Sequence, residues 1–530
     1  MRTARSLVVL IIILSVMFLV APLASASDWQ MVQHDSRNTG YTNETVPDEM
    51  ELLWESYDPR GWSERFFEMI FPGLTMMITT DPLVADEKVF VIFNSELHAI
   101  DADTGKKIWS YDPSFGGIWP PIAIADGKVF VSFEKIYAFD ADRGEIIWTF
   151  EDTGYIYMAV ADGKIFVSSR DKIYCLDEDT GNLIRSYEIA DPPAIAIIAD
   201  PPAIAEGKIF VKSKISVQSY LFSMQEGIIE ELEEELNKSD IPEVPVPDDL
   251  KMEFRKNNIS LRNYMIGKSI KEDGEWEIIE FDKQVINGEE MSIEKFILKK
   301  EDGKLNIYAK CRPAHKIYVL DEDSGKIIWS YEIGKYPLPT TTSIAIADGK
   351  VFFGSSGGSE DDESEDSKIY GLDADTGDLI WSYYIARNIS GISRYDYMPS
   401  SIAVAPGKVF VGTKGNKIYA LDADTGNLIW SHEIEKGVWS VAIADKKVFV
   451  GGGGEKIYCL DADTGDLIRS YKLEEGIQSI AIADEKVFVG SGDEKIYCFG
   501  AKEEKGVSGF ETILAIAGLL AVAYLFRRRR

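Results

Sequence analysis

Cysteine and histidine are both scarce, at four residues each in a chain of 530. The cysteines, Cys175, Cys311, Cys459 and Cys498, include no adjacent pair and no CxxC spacing, so neither a thiolate metal site nor a dithiol redox centre is supported. His34, His98, His315 and His432 are too dispersed to suggest a metal centre or a catalytic triad. Positive charge is also in deficit. The formal net charge is −32, and six of the arginines sit at the extreme ends (Arg2, Arg5 and Arg527 to Arg530), so the part between is more acidic still. Such a field repels nucleic acid and favours solubility. Long apolar runs are confined to the two ends of the chain.

What is abundant is a repeat. Ala420-Leu421-Asp422-Ala423-Asp424-Thr425-Gly426-Asn427-Leu428-Ile429-Trp430 recurs in edited form at spacings of 37 to 52 residues, broken once by a long insertion, the mark of a closed array of sheet units. Each copy reads as four strands. Ile402 to Ala405 and Val409 to Gly412 flank a Pro-Gly-Lys turn, and Lys417 to Leu421 and Leu428 to Ser431 flank the Asp-Ala-Asp-Thr-Gly turn. Asp-Gly at 126–127, 162–163 and 348–349 supplies the positive φ of a tight hairpin.

Counting strands by type fixes the architecture. Second strands begin at Val89, Val129, Ile165, Ile209, Val351, Val409, Val448 and Val487, and third strands are equally numerous. Fourth strands follow their own turn only seven times, at Trp109, Trp148, Arg185, Trp329, Trp381, Trp430 and Arg469. The missing one lies upstream: Leu52-Leu53-Trp54-Glu55-Ser56-Tyr57 has the pattern with no third strand before it. It is expected to pair with the last three strands and close the ring. The fold class is therefore all-β, an eight-bladed β-propeller of four-stranded antiparallel blades closed by an N-terminal strand, with a small α+β insertion in blade 4.

The pattern Ala-x-Asp-x-x-Thr-Gly-x-x-x-Trp, complete at 99–109 and 420–430, resembles the tryptophan-docking repeat of the pyrroloquinoline-quinone (PQQ) propeller superfamily. That group includes quinoprotein alcohol dehydrogenases and the propeller lipoprotein of the bacterial outer-membrane assembly machine. The lead-in Asp28-Trp29-Gln30-Met31, His34-Asp35 and Thr39-Gly40-Tyr41 is similar to the entry of such propellers. The resemblance implies a structural docking role for Asp101, Thr104, Gly105, Trp109, Trp148, Trp329, Asp373, Gly377, Trp381, Asp422, Thr425, Gly426, Trp430 and Trp54, each Trp packing on the motif's small first residue and on the Gly peptide of a neighbouring blade. Cys175, Cys459 and Cys498 occupy that small first position and read as buried apolar residues, too far apart between facing sheets to be bridged. The quinoproteins hold their cofactor with an adjacent cysteine pair and a calcium-ligating set, neither of which can be placed here. No catalytic, cofactor-binding or metal residue is assigned, and no cofactor is expected.

Antiparallel strands divide the loops between two faces. First-to-second and third-to-fourth turns form a regular face; second-to-third and blade-to-blade connections form the other, which carries the irregular segments. These are 62–77, 115–119, the tandem Ala-Asp-Pro-Pro-Ala-Ile-Ala copies at 190–196 and 199–205, and the 384–400 loop. Binding is placed there, with Trp62, Trp119, Tyr384, Arg394 and Tyr395 as candidates. Residues 215–314 form the inserted domain, expected to combine a helix (Ile228, Ile229, Leu232 and Leu236 in a stripe), a Pro-rich hinge at 241–247 and three or four strands over 264–310. Two tempting metal motifs are discounted. Asp373 to Asp378 fails as a calcium loop because its Gly is at position 5 and Tyr384 stands where the bidentate Glu belongs. The acidic run 360–366 fixes no ligand geometry and reads as a solvated loop.

The termini address the chain to a membrane. Residues 1–26 read as a signal peptide, 27–50 as the lead-in, 51–214 and 315–500 as propeller, 501–509 as linker and 510–530 as a C-terminal anchor. The apolar stretch Ile513 to Phe526 is short for a span, and the arginines after it place the C-terminus inside and the propeller outside. Ser508-Gly509-Phe510-Glu511 with the tail behind it resembles the Pro-Gly-Phe sorting tail of archaeal surface proteins, with Ser508 in place of Pro. Asn43, Asn237, Asn258 and Asn388 lie in glycosylation acceptors. The expectation is an exported, monomeric, non-catalytic surface propeller whose partner is an envelope protein or glycan, with a PQQ-dependent oxidoreductase or a structural surface-layer component as the alternatives.

Overall fold

The computed structural model describes residues 34–501 apart from 36–37, 57–80, 94–95, 114–120, 134, 152–155, 170–171, 189–194, 199–200, 217, 225–242, 246–251, 253–264, 269–274, 287–288, 302–303, 312–313, 335–339, 357–366, 387–393 and 494. Eight antiparallel sheets follow one another along the chain, spanning 83–111, 122–150, 156–188, 195–334, 340–386, 399–434, 438–472 and 477–500. They are blades 1 to 8. Their first strands touch one another in cyclic order, blade 8 meeting blade 1, so the eight sheets close into a ring around these inner strands. The last strand of blade 8 is Glu51–Glu55, which pairs antiparallel with Ile496–Gly500 and sets Leu52 opposite Phe499 and Trp54 opposite Cys498. Chain start and chain end are thus held in one sheet, which removes the open edge of the array.

The core lies between blades. The third residue of each second strand is a phenylalanine, and Phe90, Phe130, Phe166, Phe210, Phe352, Phe410 and Phe449 are fully buried. Burial of one such ring is worth about 1.5–3 kcal/mol. In the six blades whose fourth strand carries a tryptophan, the Phe contacts that ring, as in Phe90–Trp109 at 6.0 Å and Phe410–Trp430 at 5.7 Å between ring centroids. Where second strands end at the irregular face the blades approach closely. A Cβ on Gly412 would lie 2.2 Å from Val438 of the next blade, and one on Gly451 would lie 2.2 Å from Ile477.

The lead-in turns into the ring. Tyr41–Thr42 adds a parallel strand to the inner strand of blade 7, Tyr41 facing Ile443 and Thr42 facing Ala444. On its other side the Thr39 carbonyl accepts from Val404 N of blade 6 at 2.7 Å. Gly40 sits between them with φ +61, its Cβ position 3.0 Å from Ala403. Residues 39–42 therefore run along the axial channel, bonded to two inner strands at once.

Blade 4 is built differently. Its second strand, Lys208–Ser216, is longer than those of the other blades, and both tandem copies pair on it: Ala203–Ala205 against Lys208–Phe210, and Ile195–Ile198 against Ser213–Ser216. The duplicated segment is thus not a pair of loops. One copy makes the usual inner strand, and the other continues it beyond the irregular face. The inserted segment begins where this extension ends. Its described part is a six-stranded antiparallel sheet in the order 218–224, 304–311, 289–301, 275–286, 265–268, 243–245. Four strands over 265–311 match the alternating pattern, and in the long hairpin Ile286 pairs with Glu289. The helix expected at 225–236 lies outside the described residues.

Candidate functional site

The repeated turns offer many carboxylates, and two in each turn are taken up by structural partners. In blade 6 Asp422 Oδ1 accepts from Thr425 N at 2.8 Å and Thr425 Oγ1 at 2.7 Å, and the same pattern recurs at Asp101, Asp177, Asp321 and Asp373. Hydrogen bonds from Thr425 hold the Asp422 carboxyl below the usual carboxylate range, and those from Thr104 and Thr180 do the same for Asp101 and Asp177. The next acidic residue in the turn looks outward to the preceding blade. Lys88 reaches Asp142 at 2.7 Å, Lys128 reaches Asp179 at 2.8 Å, Lys208 reaches Asp375 at 2.6 Å and Lys350 reaches Asp424 at 2.8 Å. Lys164 uses Glu322, Lys408 uses Asp463, Lys447 uses Asp48 of the lead-in and Lys486 returns to Asp103. Every blade boundary carries one such pair.

The tryptophans complete these boundaries. Trp54 Nε1 donates to Ala102 O at 2.9 Å, Trp109 to Ala141 O at 3.0 Å, Trp148 to Glu178 O at 3.0 Å, Trp329 to Ala374 O at 3.1 Å, Trp381 to Ala423 O at 3.0 Å and Trp430 to Ala462 O at 3.1 Å. Each acceptor is in the next blade's turn. There the ring covers a glycine held at positive φ: a Cβ on Gly105 would sit 2.6 Å from Trp54, and one on Gly426 would sit 2.5 Å from Trp381. The motif's small first residue instead faces its own blade's tryptophan across the strand pair, Ala99 opposite Trp109 and Ala420 opposite Trp430. Arginine replaces tryptophan in blades 3 and 7, and a tyrosine two residues later takes over. Tyr187 Oη donates to Glu322 O at 2.5 Å and covers Gly325, while Tyr471 Oη accepts from Met50 N at 3.3 Å. Cys175 and Cys459 face these arginines. Cys175, Cys459 and Cys498 are free and buried, and burial pushes the last two thiols up to about 12.

The irregular face is different. Beside blade 6, the connection from blade 5 (Asp396, Tyr397), the second-to-third loop (Thr413 to Lys417) and the connection to blade 7 (Lys436, Gly437) enclose a cleft of about 430 Å³. Close backbone contacts shape it. Gly415 N donates to Asp396 O at 3.0 Å, Lys414 N to Met398 O at 2.8 Å and Ile434 N to Asn416 O at 2.7 Å. Lys414, Lys417 and Lys436 line it with the half-buried Tyr397 and the buried Tyr419. Lys417 is paired with Glu433 at 3.0 Å, whereas Lys436 has no ion-pair partner among the described residues. Next to Lys436 stands Trp439, 47 % exposed, its ring 3.2 Å from the Cβ position of Gly453. The cleft thus offers ammonium groups and amide and hydroxyl hydrogen bonds to an acidic ligand, with an exposed indole beside it.

Of the candidates read from sequence, Arg394 and Tyr395 fall on the 3₁₀ turn Arg394–Tyr397, which ends at the cleft. Tyr384 is half-buried under Lys368, whose Nζ lies 4.5 Å from its ring centroid. Trp62 and Trp119 lie outside the described residues, as do Asn237, Asn258, Asn388 and the acidic run 360–366. Asn43 is exposed on the lead-in. Sequence reasoning passed over Lys414, Lys436 and Trp439, whose signal was departure from the repeat. It also passed over Lys212, a buried lysine that stands where blades 5 to 8 have glycine and donates to Thr342 O at 2.8 Å. Near the axis, Asp81 precedes the inner strand of blade 1. Burial raises its carboxyl to about 6 against the opposing hydrogen bond to Ser479. Burial also lowers His98 to about 4, which keeps it neutral.

No curated protein sequence matches the chain. Among solved structures it is similar to BamB from Moraxella catarrhalis (12 % identity, 87 % of this chain and 100 % of that one, TM-score 0.47) and to quinohemoprotein alcohol dehydrogenase from Comamonas testosteroni (15 %, 92 % and 83 %, 0.47). It is similar as well to the computationally designed Ika8 protein (12 %, 81 % and 97 %, 0.48). Residues 509–529 match the PGF-CTERM motif, a surface-anchoring motif. The family described as outer membrane protein assembly factor BamB matches residues 132–229, 297–417 and 414–505. With more than half of its length so matched, the chain belongs to that family of PQQ-like repeat propellers.

Proposed function

We propose that this protein is a surface-held, non-catalytic propeller that binds or scaffolds an acidic envelope component, protein or glycan, through its irregular face. The observation that carries this reading is a contrast in charge partners: on the regular face the opening lysine of each second strand is paired across a blade boundary, while the blade 6 cleft presents Lys436, without an ion-pair partner among the described residues, beside the exposed Trp439. Variable loops on a rigid scaffold are the usual seat of recognition. The inserted sheet, which leaves the same face from blade 4, enlarges the available surface. A sorting motif at 509–529 supports retention at the cell surface.

Capture from envelope extracts tests this. Full-length protein is expected to retain an envelope partner that is lost from a Lys414→Glu/Lys436→Glu variant and weakened in Trp439→Ala. Equal capture by all three proteins would leave the cleft without a role, as expected of a purely structural surface-layer component. Dye reduction on adding PQQ and calcium to the purified chain would replace the binding reading with an oxidoreductase.

A further inference from the structure

The chain leaves the propeller on the regular face. Gly500 ends the third strand of blade 8 opposite Glu51, and its Cβ position lies 2.8 Å from Leu53 and 3.3 Å from Lys486, which follows a regular-face turn. Only residues 501–508 separate this point from the sorting motif at 509. Eight residues reach at most about 28 Å when fully extended, at ~3.3–3.6 Å each. The anchor therefore holds the regular face, and the rim beside Leu53 above all, close to the membrane.

That rim is apolar. Immediately after each Asp-x-x-Thr-Gly turn or its equivalent the fourth strand carries aliphatic residues, such as Ile146 and Ile147 in blade 2, Leu183 and Ile184 in blade 3, and Leu428 and Ile429 in blade 6, between 40 and 50 % exposed. A register shift between the strands explains why two consecutive residues both face outward: Leu428 opposes Leu421 and Trp430 opposes Ala420, leaving Ile429 as the extra residue. The pairs recur at the same register position in seven blades, with Lys107-Ile108 in blade 1, so they ring the regular-face end of the outer strands. Exposed apolar surface repeated in this way marks a contact. The adjoining turn carboxylates are paired with lysines, which limits their repulsion from acidic lipid.

We infer that the regular face is the membrane-proximal end, its aliphatic rim resting on the lipid surface, and that the irregular face points away from the cell. This rests on the anchoring part of the functional reading and is independent of what the cleft binds.

Full-length protein in diphytanoyl phosphatidylcholine vesicles containing an acceptor-labelled lipid provides the test. A donor dye is attached through Lys446→Cys on the regular face or Glu455→Cys on the irregular face of blade 7, each with Cys311→Ser. Transfer from position 446 should exceed that from position 455 at least about twofold, given the ~20 Å of strand between them. Equal or reversed transfer overturns the orientation, whereas failure to associate with vesicles removes the anchoring on which it rests. With a linker lengthened by twenty Gly-Ser residues after Ala501, the dye at 446 should keep most of its transfer, and Ile146→Glu/Ile147→Glu with Leu428→Glu/Ile429→Glu should abolish it. Loss on lengthening alone overturns rim contact, as does transfer between donor- and acceptor-labelled copies, which would assign the rim to a second chain.

Discussion

The two faces of this propeller are made by the same four-stranded unit, yet they place their charged residues differently. On the regular face the first Asp of the third-to-fourth turns accepts from the turn itself, a second turn carboxylate pairs with a lysine of the preceding blade, and each boundary is closed by a Trp or Tyr on the neighbouring turn. On the irregular face ion pairs such as Lys135–Glu151 and Lys417–Glu433 stay within one blade, and three lysines and a buried tyrosine line an open cleft beside the exposed Trp439. Repetition absorbs side chains into structure, because every copy needs the same boundary. Departure from the repeat is where the side chains differ from blade to blade.

Exchanging the tryptophans breaks this comparison most sharply. Trp381→Ala removes a buried ring from Gly426 and a hydrogen bond to Ala423, and should cost about 3–5 kcal/mol in denaturant unfolding. Trp439→Ala should change stability by under about 0.5 kcal/mol, as at other exposed sites; comparable losses would mean that Trp439 is also structural. Gly426→Ala attacks the same boundary from its other side. At φ +69, with Trp381 2.5 Å from the new Cβ, it should cost about 2–4 kcal/mol, while Gly407→Ala, also at positive φ but with open space around it, should lose only the backbone part of that.

Acid titration separates the faces in a different way. Because the folded-state pKa of Asp81 is raised to about 6, the folded chain binds a proton there that the unfolded chain has released, and stability falls as pH rises from about 4 to 6. Asp81→Asn should therefore raise the unfolding free energy by about 1–2 kcal/mol at pH 7 and leave it unchanged at pH 4. The turn carboxylates act with the opposite sign: their lowered pKa values stabilise the fold above the usual carboxylate range, and that support disappears as pH falls through the depressed values. A variant with equal effects at both pH values would show that Asp81 does not titrate in this window. The smallest expected effect belongs to the substituted corners. Tyr187→Phe removes one hydrogen bond to Glu322 and should cost about 1 kcal/mol, whereas Tyr383→Phe, in a blade whose tryptophan is present, should be close to neutral.

Much of this was legible in the chain. The hairpin strands, the turn residues, the count of eight and the displaced closing strand all follow from patterns spanning a few residues, or from one strand type being short by one copy. Other features depended on partners that no local pattern names. The strand 218–224 was not readable because its partner, 304–311, is some eighty residues away. The tandem Pro-Pro segments looked like loops because nothing nearby shows that the second strand of blade 4 continues to receive both. Lys414, Lys436 and Trp439 were missed because each is unremarkable alone and meets the others only where three connections converge.

The sequence by itself determined the blade, its hairpins, its number and the strand that closes the ring, since these are set by alternation, turn chemistry and repetition within one stretch of chain. Tertiary structure decided which side chain meets which across a boundary: Lys88 with Asp142, Tyr187 with the turn of blade 4, Tyr41 in the axial channel, and Gly500 beside Leu53 at the rim. The physical reason is that eight sheets packed around an axis bring together residues from different copies, and that geometry exists only once the ring is closed.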